Sequence, residues 1–185
     1  MTTIVAIAGS TRAKSYNRML LHAAVELAPA GCVLEPASIK DIPLYDGDVE
    51  AQGVPAAVAA LKDRIAAADG VLLVTPEYNN SLPGVFKNAI DWTSRPSSDI
   101  PRVYGGKPVG VIGATPGAGG TNLSQAAWLP VLRTLGTAPF FGARVQVAHA
   151  GKMFDDAGVL TDPTVRAQLE KYLIAFASFV TRNAR

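Results

Sequence analysis

A short apolar run passes into a polar loop and then into a helical pattern in the stretch Ile4-Val5-Ala6-Ile7-Ala8-Gly9-Ser10-Thr11-Arg12-Ala13-Lys14-Ser15-Tyr16-Asn17-Arg18. The apolar run is typical of a strand that is buried on both faces, as in a parallel sheet. The free N–H groups and the dipole at the start of the following helix favour an anion in the polar loop. The stretch therefore predicts the first strand of a parallel sheet, followed by a ligand-binding turn.

The same alternation continues along the rest of the chain. Further short apolar runs occur at 32–34, 70–74, 109–112 and 145–147, and helical apolar spacing occurs at 20–28, 58–68, 85–90, 121–135 and 165–180. Five strands alternating with five helices predict an α/β fold, and at this length the order 2-1-3-4-5 is the natural choice. We therefore expect residues 1–185 to form one flavodoxin-like domain, a three-layer sandwich whose five-stranded parallel sheet has helices on both faces. We also expect Thr161 or Asp162 to cap the last helix and Pro130 to bend the helix before it.

Composition excludes several classes of protein. The 185 residues are 49% hydrophobic and 17% charged, which allows one buried core and excludes wholesale disorder. A net charge of +2 and 7% aromatic residues give no support for a nucleic-acid partner. Cys32 is the only cysteine, which excludes an intrachain disulfide, and the two histidines are too far apart in sequence to favour a zinc or iron site. No basic leader precedes the first apolar run and no run approaches about 20 residues, so we expect a cytoplasmic protein with no membrane contact.

The loop after the first strand carries three cations and several hydrogen-bond donors. Ser10, Ser15 and Asn17 offer side-chain donors, and Arg12 can neutralise a phosphate with two parallel hydrogen bonds. We predict a phosphate cradle, and the alternative is a polar loop in which Ser15 is an ordinary helix N-cap. The loop lacks Gly-x-Gly-x-x-Gly, and no Lys-Ser or Lys-Thr follows the glycines at 113–120, so the phosphate should belong to a mononucleotide.

Two more loops should reach the same edge of the sheet, because ligands of such folds bind at the carboxyl ends of the strands. In the loop at 75–84, Tyr78 and the backbone around Asn79 suit a planar ligand, and the alternative is an Asn- and Pro-rich turn with Tyr78 packed on the next helix. In the loop at 115–120, Thr115 and the backbone of Gly117 would face the second side of the planar group. The alternative there is a flexible connection.

Two motifs carry a resemblance, Gly9-Ser10-Thr11-Arg12-(two residues)-Ser15-Tyr16-Asn17-Arg18 and Pro76-Glu77-Tyr78-Asn79-Asn80-Ser81-Leu82-Pro83-Gly84-Val85-Phe86-Lys87-Asn88-Ala89-Ile90-Asp91-Trp92. They resemble the NADPH-dependent FMN reductase family, the flavodoxin-like group that includes bacterial quinone, chromate and azo-dye reductases. The resemblance implies non-covalent FMN with its phosphate on Ser10, Arg12, Ser15 and Asn17 and with Tyr16 alongside. It implies an isoalloxazine that lies against Pro76, Glu77, Tyr78 and Asn79 and against the third loop at Thr115 and Gly117.

The resemblance also implies an NAD(P)H oxidoreductase. NADPH or NADH would be the electron donor, and a quinone, a flavin, an azo or nitro compound or an oxyanion would be the acceptor, in a ping-pong reaction. It further implies a homodimer or homotetramer with the flavin near a subunit interface. The family often continues its third loop as Gly-Gly-x-Arg-Ala-Gln, whereas this chain reads Gly119-Gly120-Thr121-Asn122-Leu123-Ser124-Gln125, so that arginine has no counterpart.

Hydride transfer to a flavin needs alignment more than an acid or a base, so we predict no catalytic side chain. A backbone N–H near Asn79 or Asn80 is the candidate to bond flavin N5. Asp91 and Arg95 are expected to form helix-end pairs and His22 to pack beside the first helix, while His149 remains open. Two other functions also remain open, a flavodoxin-type electron carrier without a nicotinamide site and a regulatory protein that has lost the flavin.

Overall fold

The computed structural model describes residues 1–183, and residues 184 and 185, the end of the predicted domain 1–185, lie outside the described residues. The strands are β1 (Thr2–Ala8), β2 (Cys32–Ala37), β3 (Gly70–Val74), β4 (Pro108–Ala114), β5 (Ala138–Pro139) and β6 (Gln146–Val147). The helices are α1 (Tyr16–Glu26), α2 (Gly47–Gln52), α3 (Ala56–Ala67), α4 (Gly84–Thr93), α5 (Ile100–Val103), α6 (Asn122–Thr134) and α7 (Pro163–Asn183).

The sheet has the predicted order β2-β1-β3-β4-β5, and every strand pair in it is parallel. The prediction of one fifth strand at 145–147 is wrong in one respect, because two short strands share that position. β5 pairs with the start of β4, and β6 pairs with its end. Residues 141–144 separate the two strands, since the N–H of Phe140 still donates to Val109 and the carbonyl of Val145 still accepts from Gly113. The ring of Phe140 packs against Tyr172 and Phe176 of α7.

Two apolar cores lie on opposite faces of the sheet and confirm the three-layer architecture. Ile4, Ala6 and Ala8 of β1 belong to the core covered by α1 and α7. Val5 and Ile7 belong to the core covered mainly by α3, α4 and α6. Successive side chains of a strand point to opposite faces, so the continuous apolar run seen in the sequence is what a sheet covered on both sides requires.

Several element ends and two short helices differ from the sequence prediction. The helices α2 and α5 were not predicted, because α2 has no buried residue to mark an apolar face and α5 is a single turn. The helix α6 continues through Pro130, and the bend there stays a prediction. Of the two candidate caps of α7, Asp162 makes the bond, since its Oδ1 accepts the N–H of Val165 at 2.8 Å. None of the helices within residues 1–183 has the length and apolar character required to cross a membrane.

Polar contacts fasten the segment between β2 and α3 to α4. The Trp92 indole N–H donates to the carbonyl of Pro43 at 2.9 Å. The carboxylate of Glu50 accepts the hydroxyl proton of Tyr45 at 2.7 Å and an N–H of Arg95 at 3.0 Å. These two donors hold the pKa of the Glu50 carboxyl below its ordinary value.

We expect Glu50→Gln to weaken the pH dependence of stability at acid pH. A carboxyl whose folded pKa is lowered stabilises the fold above its unfolded pKa of about 4.3, and this contribution is lost as the pH falls through the folded value. Thermal unfolding followed by circular dichroism between pH 7 and pH 3 should show a smaller acid-induced fall of Tm in Glu50→Gln than in the wild type. Glu26→Gln, at an exposed position on α1, is the control, and equal falls in all three proteins would contradict the prediction.

A second prediction concerns Gly9, at the end of β1. A Cβ added there would overlap the ring of Phe86, whose side chain is completely buried. Gly9→Ala should therefore cost about 1–3 kcal/mol in the free energy of unfolding, as overpacking does. Gly84→Ala is the matched control, because no atom lies within 4 Å of a Cβ at that position, and chemical denaturation that finds the two variants equally stable would disprove the packing role.

Candidate functional site

The loops that follow β1, β3 and β4 meet at the carboxyl edge of the sheet. The N–H of Gly9 donates to the carbonyl of Val74 at 2.9 Å, and that of Thr75 donates to Ile112 at 2.8 Å, so the three strands end side by side. The buried side chain of Asn17 donates to the carbonyl of Ala114 at 2.8 Å and accepts its N–H at 2.9 Å. The start of α1 is thereby held against the end of β4.

The first turn of α1 presents a set of hydrogen-bond donors that no protein group satisfies. Ser15 occupies the N-cap position but its side chain makes no capping bond, although Ser15 is only 2% exposed. Within residues 1–183 the backbone N–H groups of Tyr16 and Asn17 have no hydrogen-bond acceptor. Ser15 therefore lacks the bond of an ordinary N-cap, and the hydroxyl and two N–H groups at a helix N-terminus are the donors that a phosphate requires.

The other predicted cradle residues lie around this turn. Ser10 is buried, and its hydroxyl oxygen accepts the N–H of Arg12 at 3.4 Å. The exposed guanidinium of Arg12 donates to the carbonyl of Lys14 at 3.1 Å. The ring of Tyr16 stacks on Phe154 with centroids 6.1 Å apart, so its side chain faces the segment before α7. Among these predicted cradle residues, Asn17 differs in that its side-chain amide already forms two hydrogen bonds within the protein, both to Ala114.

The loop after β3 forms a tight turn with two left-handed residues. The N–H and C=O of Tyr78 pair with those of Ser81, with both bonds at 3.0 Å, and the φ angles of Asn79 and Asn80 are 49° and 60°. Positive φ at both central residues defines a type I′ turn, and asparagine tolerates this conformation better than most residues. Tyr78 is 48% exposed, and Pro76 next to the turn is buried. The turn thus presents the exposed ring of Tyr78 and the N–H groups of Asn79 and Asn80, which have no acceptor within residues 1–183.

Glu77 connects this turn to α6. One oxygen of its carboxylate accepts the N–H groups of Leu123 and Ser124 at 2.8 and 3.0 Å. These are first-turn donors of α6, whose own N-cap residue Thr121 makes no side-chain capping bond. Thr75 reinforces the connection, because its hydroxyl lies 2.9 Å from that of Ser124. The carboxylate that the sequence places near a planar ligand therefore caps a helix.

The loop after β4 is attached to a segment that the sequence did not assign to the site. The carbonyls of Thr115 and Gly117 accept the N–H groups of Ala150 and His149 at 3.0 and 2.9 Å. Two backbone bonds argue against a flexible connection. The only sequence signal for this segment was its position after the last strand at the same sheet edge. His149 itself is exposed and has a left-handed backbone with a φ of 48°.

The remaining candidate side chains have ordinary surroundings. Asp91 pairs with Lys87 one turn earlier at 2.6 Å, and Arg95 pairs with Glu50. Burial raises the pKa of the Cys32 thiol. His22 is exposed rather than packed, so that expectation is wrong, because its position on α1 faces a cavity at the protein surface. The described part of the chain holds no group of three or more His, Cys, Asp or Glu side chains placed to bind a metal ion.

The strand order and the layers of helices define a flavodoxin-like fold, and the start of its first helix carries unpaired hydrogen-bond donors within residues 1–183. Comparison with known proteins narrows this class. Residues 2–152 match the model of the NADPH-dependent FMN reductase family. The chain is 40% identical over 179 residues to an NAD(P)H-dependent FMN reductase of Pseudomonas aeruginosa, covering 97% of this chain and 95% of that protein. It is 39% identical over 181 residues to a quinone reductase of Pseudomonas putida, covering 98% and 96%.

A solved structure agrees with these relatives. The flavoenzyme NAD(P)H:(acceptor) oxidoreductase FerB of Paracoccus denitrificans superposes with a TM-score of 0.90 and 34% identity over the whole of both chains. The chain belongs to the NADPH-dependent FMN reductase family. It is an oxidoreductase that uses FMN and NAD(P)H.

Substitution of Glu77 tests whether its carboxylate caps α6 and holds two of the site loops together. Glu77→Ala would leave the N–H groups of Leu123 and Ser124 without an acceptor and should lower the free energy of unfolding by about 1–2 kcal/mol. It should also weaken FMN binding in a flavin fluorescence titration, because two site loops lose their connection. Glu77→Gln retains an acceptor oxygen and should lose less of both, whereas wild-type behaviour of Glu77→Ala would refute the capping role.

Proposed function

We propose that this protein transfers electrons from NAD(P)H to quinones through FMN bound at the carboxyl edge of the sheet, in a ping-pong cycle. The observation that carries the proposal is the first turn of α1, where the Ser15 hydroxyl and the N–H groups of Tyr16 and Asn17 have no partner within residues 1–183. This donor set fits the phosphate monoester of a mononucleotide. The quinone reductase named among the relatives supports a quinone as the acceptor.

In this proposal the phosphate end of FMN is held by the β1–α1 loop. The Ser15 hydroxyl and the two N–H groups donate to the phosphate, and Ser10 adds a second hydroxyl. The exposed guanidinium of Arg12 supplies the compensating charge. Asn17 contributes one remaining amide hydrogen and, through Ala114, fixes the distance between this loop and β4.

The ring end of FMN lies in the proposal between the β3–α4 turn and the β4–α6 loop. Pro76 and the exposed ring of Tyr78 provide a flat apolar wall, and Glu77 keeps the turn in place by capping α6. Thr115 and Gly117 approach the ring from the second loop, which the bonds from His149 and Ala150 hold still. The free N–H groups of Asn79 and Asn80 are the candidate donors to flavin N5.

Bound FMN supplies the redox chemistry, accepting a hydride from the nicotinamide and passing reducing equivalents to the acceptor. The task of the residues is to hold the ring with one face open, so that donor and acceptor stack there in turn. The side chains assigned to the ring are an aromatic, a proline, a threonine and a carboxylate that caps a helix, and none of them is assigned proton transfer. Tyr78, the most exposed of these, bounds the space where the second reactant enters.

The finer parts of the proposal follow the family. Residues 1–185 act as one FMN-binding domain in the cytoplasm, assembled as a homodimer or homotetramer. Flavins, azo or nitro compounds and oxyanions are further acceptors, because all of them take electrons from an exposed reduced flavin. Asn122 stands where the family often has an arginine. Any subunit contact that the arginine makes in other members would therefore be made by other residues in this protein.

An electron carrier without a nicotinamide site is the competing function. The relatives named as NAD(P)H-dependent reductases favour an enzyme over a carrier. The test is to load the purified protein with FMN and mix it anaerobically with NADPH or NADH. Rapid bleaching of the flavin band, reversed by benzoquinone, is the expected result, and a yellow protein that neither donor bleaches would identify a carrier. A colourless protein that cannot be loaded would reject both.

Arg12 provides a test of the phosphate assignment. Arg12→Ala should weaken FMN binding by about tenfold or more, because it removes a charge-assisted contact to the phosphate. Riboflavin, which lacks the phosphate, should bind both proteins nearly equally. Fluorescence titration with the two flavins measures the difference, with Arg133→Ala, an exposed arginine on α6, as the control. Equal losses for FMN and riboflavin would be incompatible with Arg12 as a phosphate ligand.

A further inference from the structure

A cavity of about 390 Å³ lies beside the β1–α1 loop, between α1 and the segment that follows β2. Its volume falls within the range of roughly 300–1,000 Å³ found for small-molecule sites. Its polar lining consists of Ser10, Thr11, Arg18, His22, Ser38 and Lys40. The cavity shares Ser10 with the proposed FMN cradle and otherwise extends away from it, toward β2.

The cavity faces a different side of α1 from the one that faces β4. Asn17 points toward β4, because its amide pairs with Ala114. Arg18 follows directly, and one residue along a helix turns the side-chain direction by about 100°. His22 lies four residues after Arg18 and shares its face. A group held by Arg18 and His22 therefore lies on a different side of α1 from Asn17, and the cavity meets the proposed phosphate cradle only at Ser10.

The cavity carries cationic side chains that form no ion pair within residues 1–183. Arg18, His22 and Lys40 are exposed, and within residues 1–183 their side chains form no ion pair and no hydrogen bond. The lining contains no Asp or Glu. Two permanent cations in one concave site without a counter-charge attract an anion.

Neutral groups in the same cavity suit a phosphate attached to a sugar. The hydroxyl oxygen of Ser38 accepts the N–H of Lys40 at 3.1 Å, which leaves the hydroxyl proton available to donate to an anion. Leu21 and Ile39 are buried and line the cavity, and they give apolar contacts to a ribose or a base. The cavity thus combines cations, hydroxyl donors and an apolar floor.

We propose that this cavity binds the adenosine 2′-phosphate of NADPH and that Arg18 and Lys40 give the protein its preference for NADPH over NADH. The inference rests on the proposed function, since it assumes a nicotinamide dinucleotide as electron donor. NADPH and NADH differ by this one phosphate, so a site that recognises it decides between them. The cavity is lined by Ser10 and Thr11 of the β1–α1 loop, so it lies at the same edge of the sheet as the proposed flavin site.

Binding is tested on the FMN-loaded protein by calorimetry with adenosine 2′,5′-bisphosphate, adenosine 5′-monophosphate and inorganic phosphate. The wild type should bind the bisphosphate at least about tenfold more tightly than the monophosphate, as expected for added charge-assisted hydrogen bonds. The double variant Arg18→Ala/Lys40→Ala should lose that difference while retaining its FMN. Equal affinities of the wild type for the two nucleotides, or for the bisphosphate and inorganic phosphate, would overturn the proposal.

Steady-state kinetics give the second readout. The double variant should raise the KM for NADPH by about tenfold or more, with the KM for NADH within about twofold and kcat unchanged. Arg133→Ala is the control for loss of a surface cation. Parallel changes of both KM values, or none, would overturn the assignment of Arg18 and Lys40. If the wild type binds the bisphosphate preferentially but neither donor reduces its flavin, the proposed function fails and the phosphate site stands.

Discussion

The whole carboxyl edge of the sheet depends on one buried side chain, the amide of Asn17. The last residue of β3, Val74, pairs with Ile112, so β4 extends two residues further and Ala114 has no β3 residue beside it. Asn17 replaces the missing strand by pairing with both the N–H and the C=O of Ala114. A buried polar group left unpaired costs about 1–3 kcal/mol. The amide therefore stabilises the edge and at the same time sets where the first turn of α1 stands.

A second set of contacts makes the other two loops one unit. The carboxylate of Glu77 and the hydroxyl of Thr75 bind the start of α6, and the indole N–H of Trp128 donates to Thr75 at 3.1 Å from two turns inside that helix. Thr75 and Trp128 are completely buried. Because the turn after β3 and the loop before α6 share these partners, a change in either should displace the other. A planar ligand between them would meet walls that move together.

Much of this could be predicted from the sequence, and the exceptions have physical causes. The strand order and the face of each core helix follow from apolar runs and helical spacing, because burial imposes those patterns. The predicted phosphate role of Ser15 rests on its place after the first strand, and the structure adds that its side chain makes no capping bond. The capping role of Glu77 and the attachment of Gly117 to His149 join residues over 30 apart, and no local pattern records such pairs. The division of the fifth strand depends on where Phe140 packs, which is equally a tertiary effect.

The helices α1 and α6 are among those that begin at this edge, and their N-termini are electrostatically unlike. Glu77 places a negative charge of the protein itself on the N-terminus of α6, which offsets the positive end of that helix dipole. No carboxylate does the same for the first turn of α1 in the described residues. The N-terminus of α1 therefore favours an anion more than the N-terminus of α6 does. For a nucleotide bound as proposed, the capping of α6 by Glu77 would favour the orientation that puts the phosphate at α1.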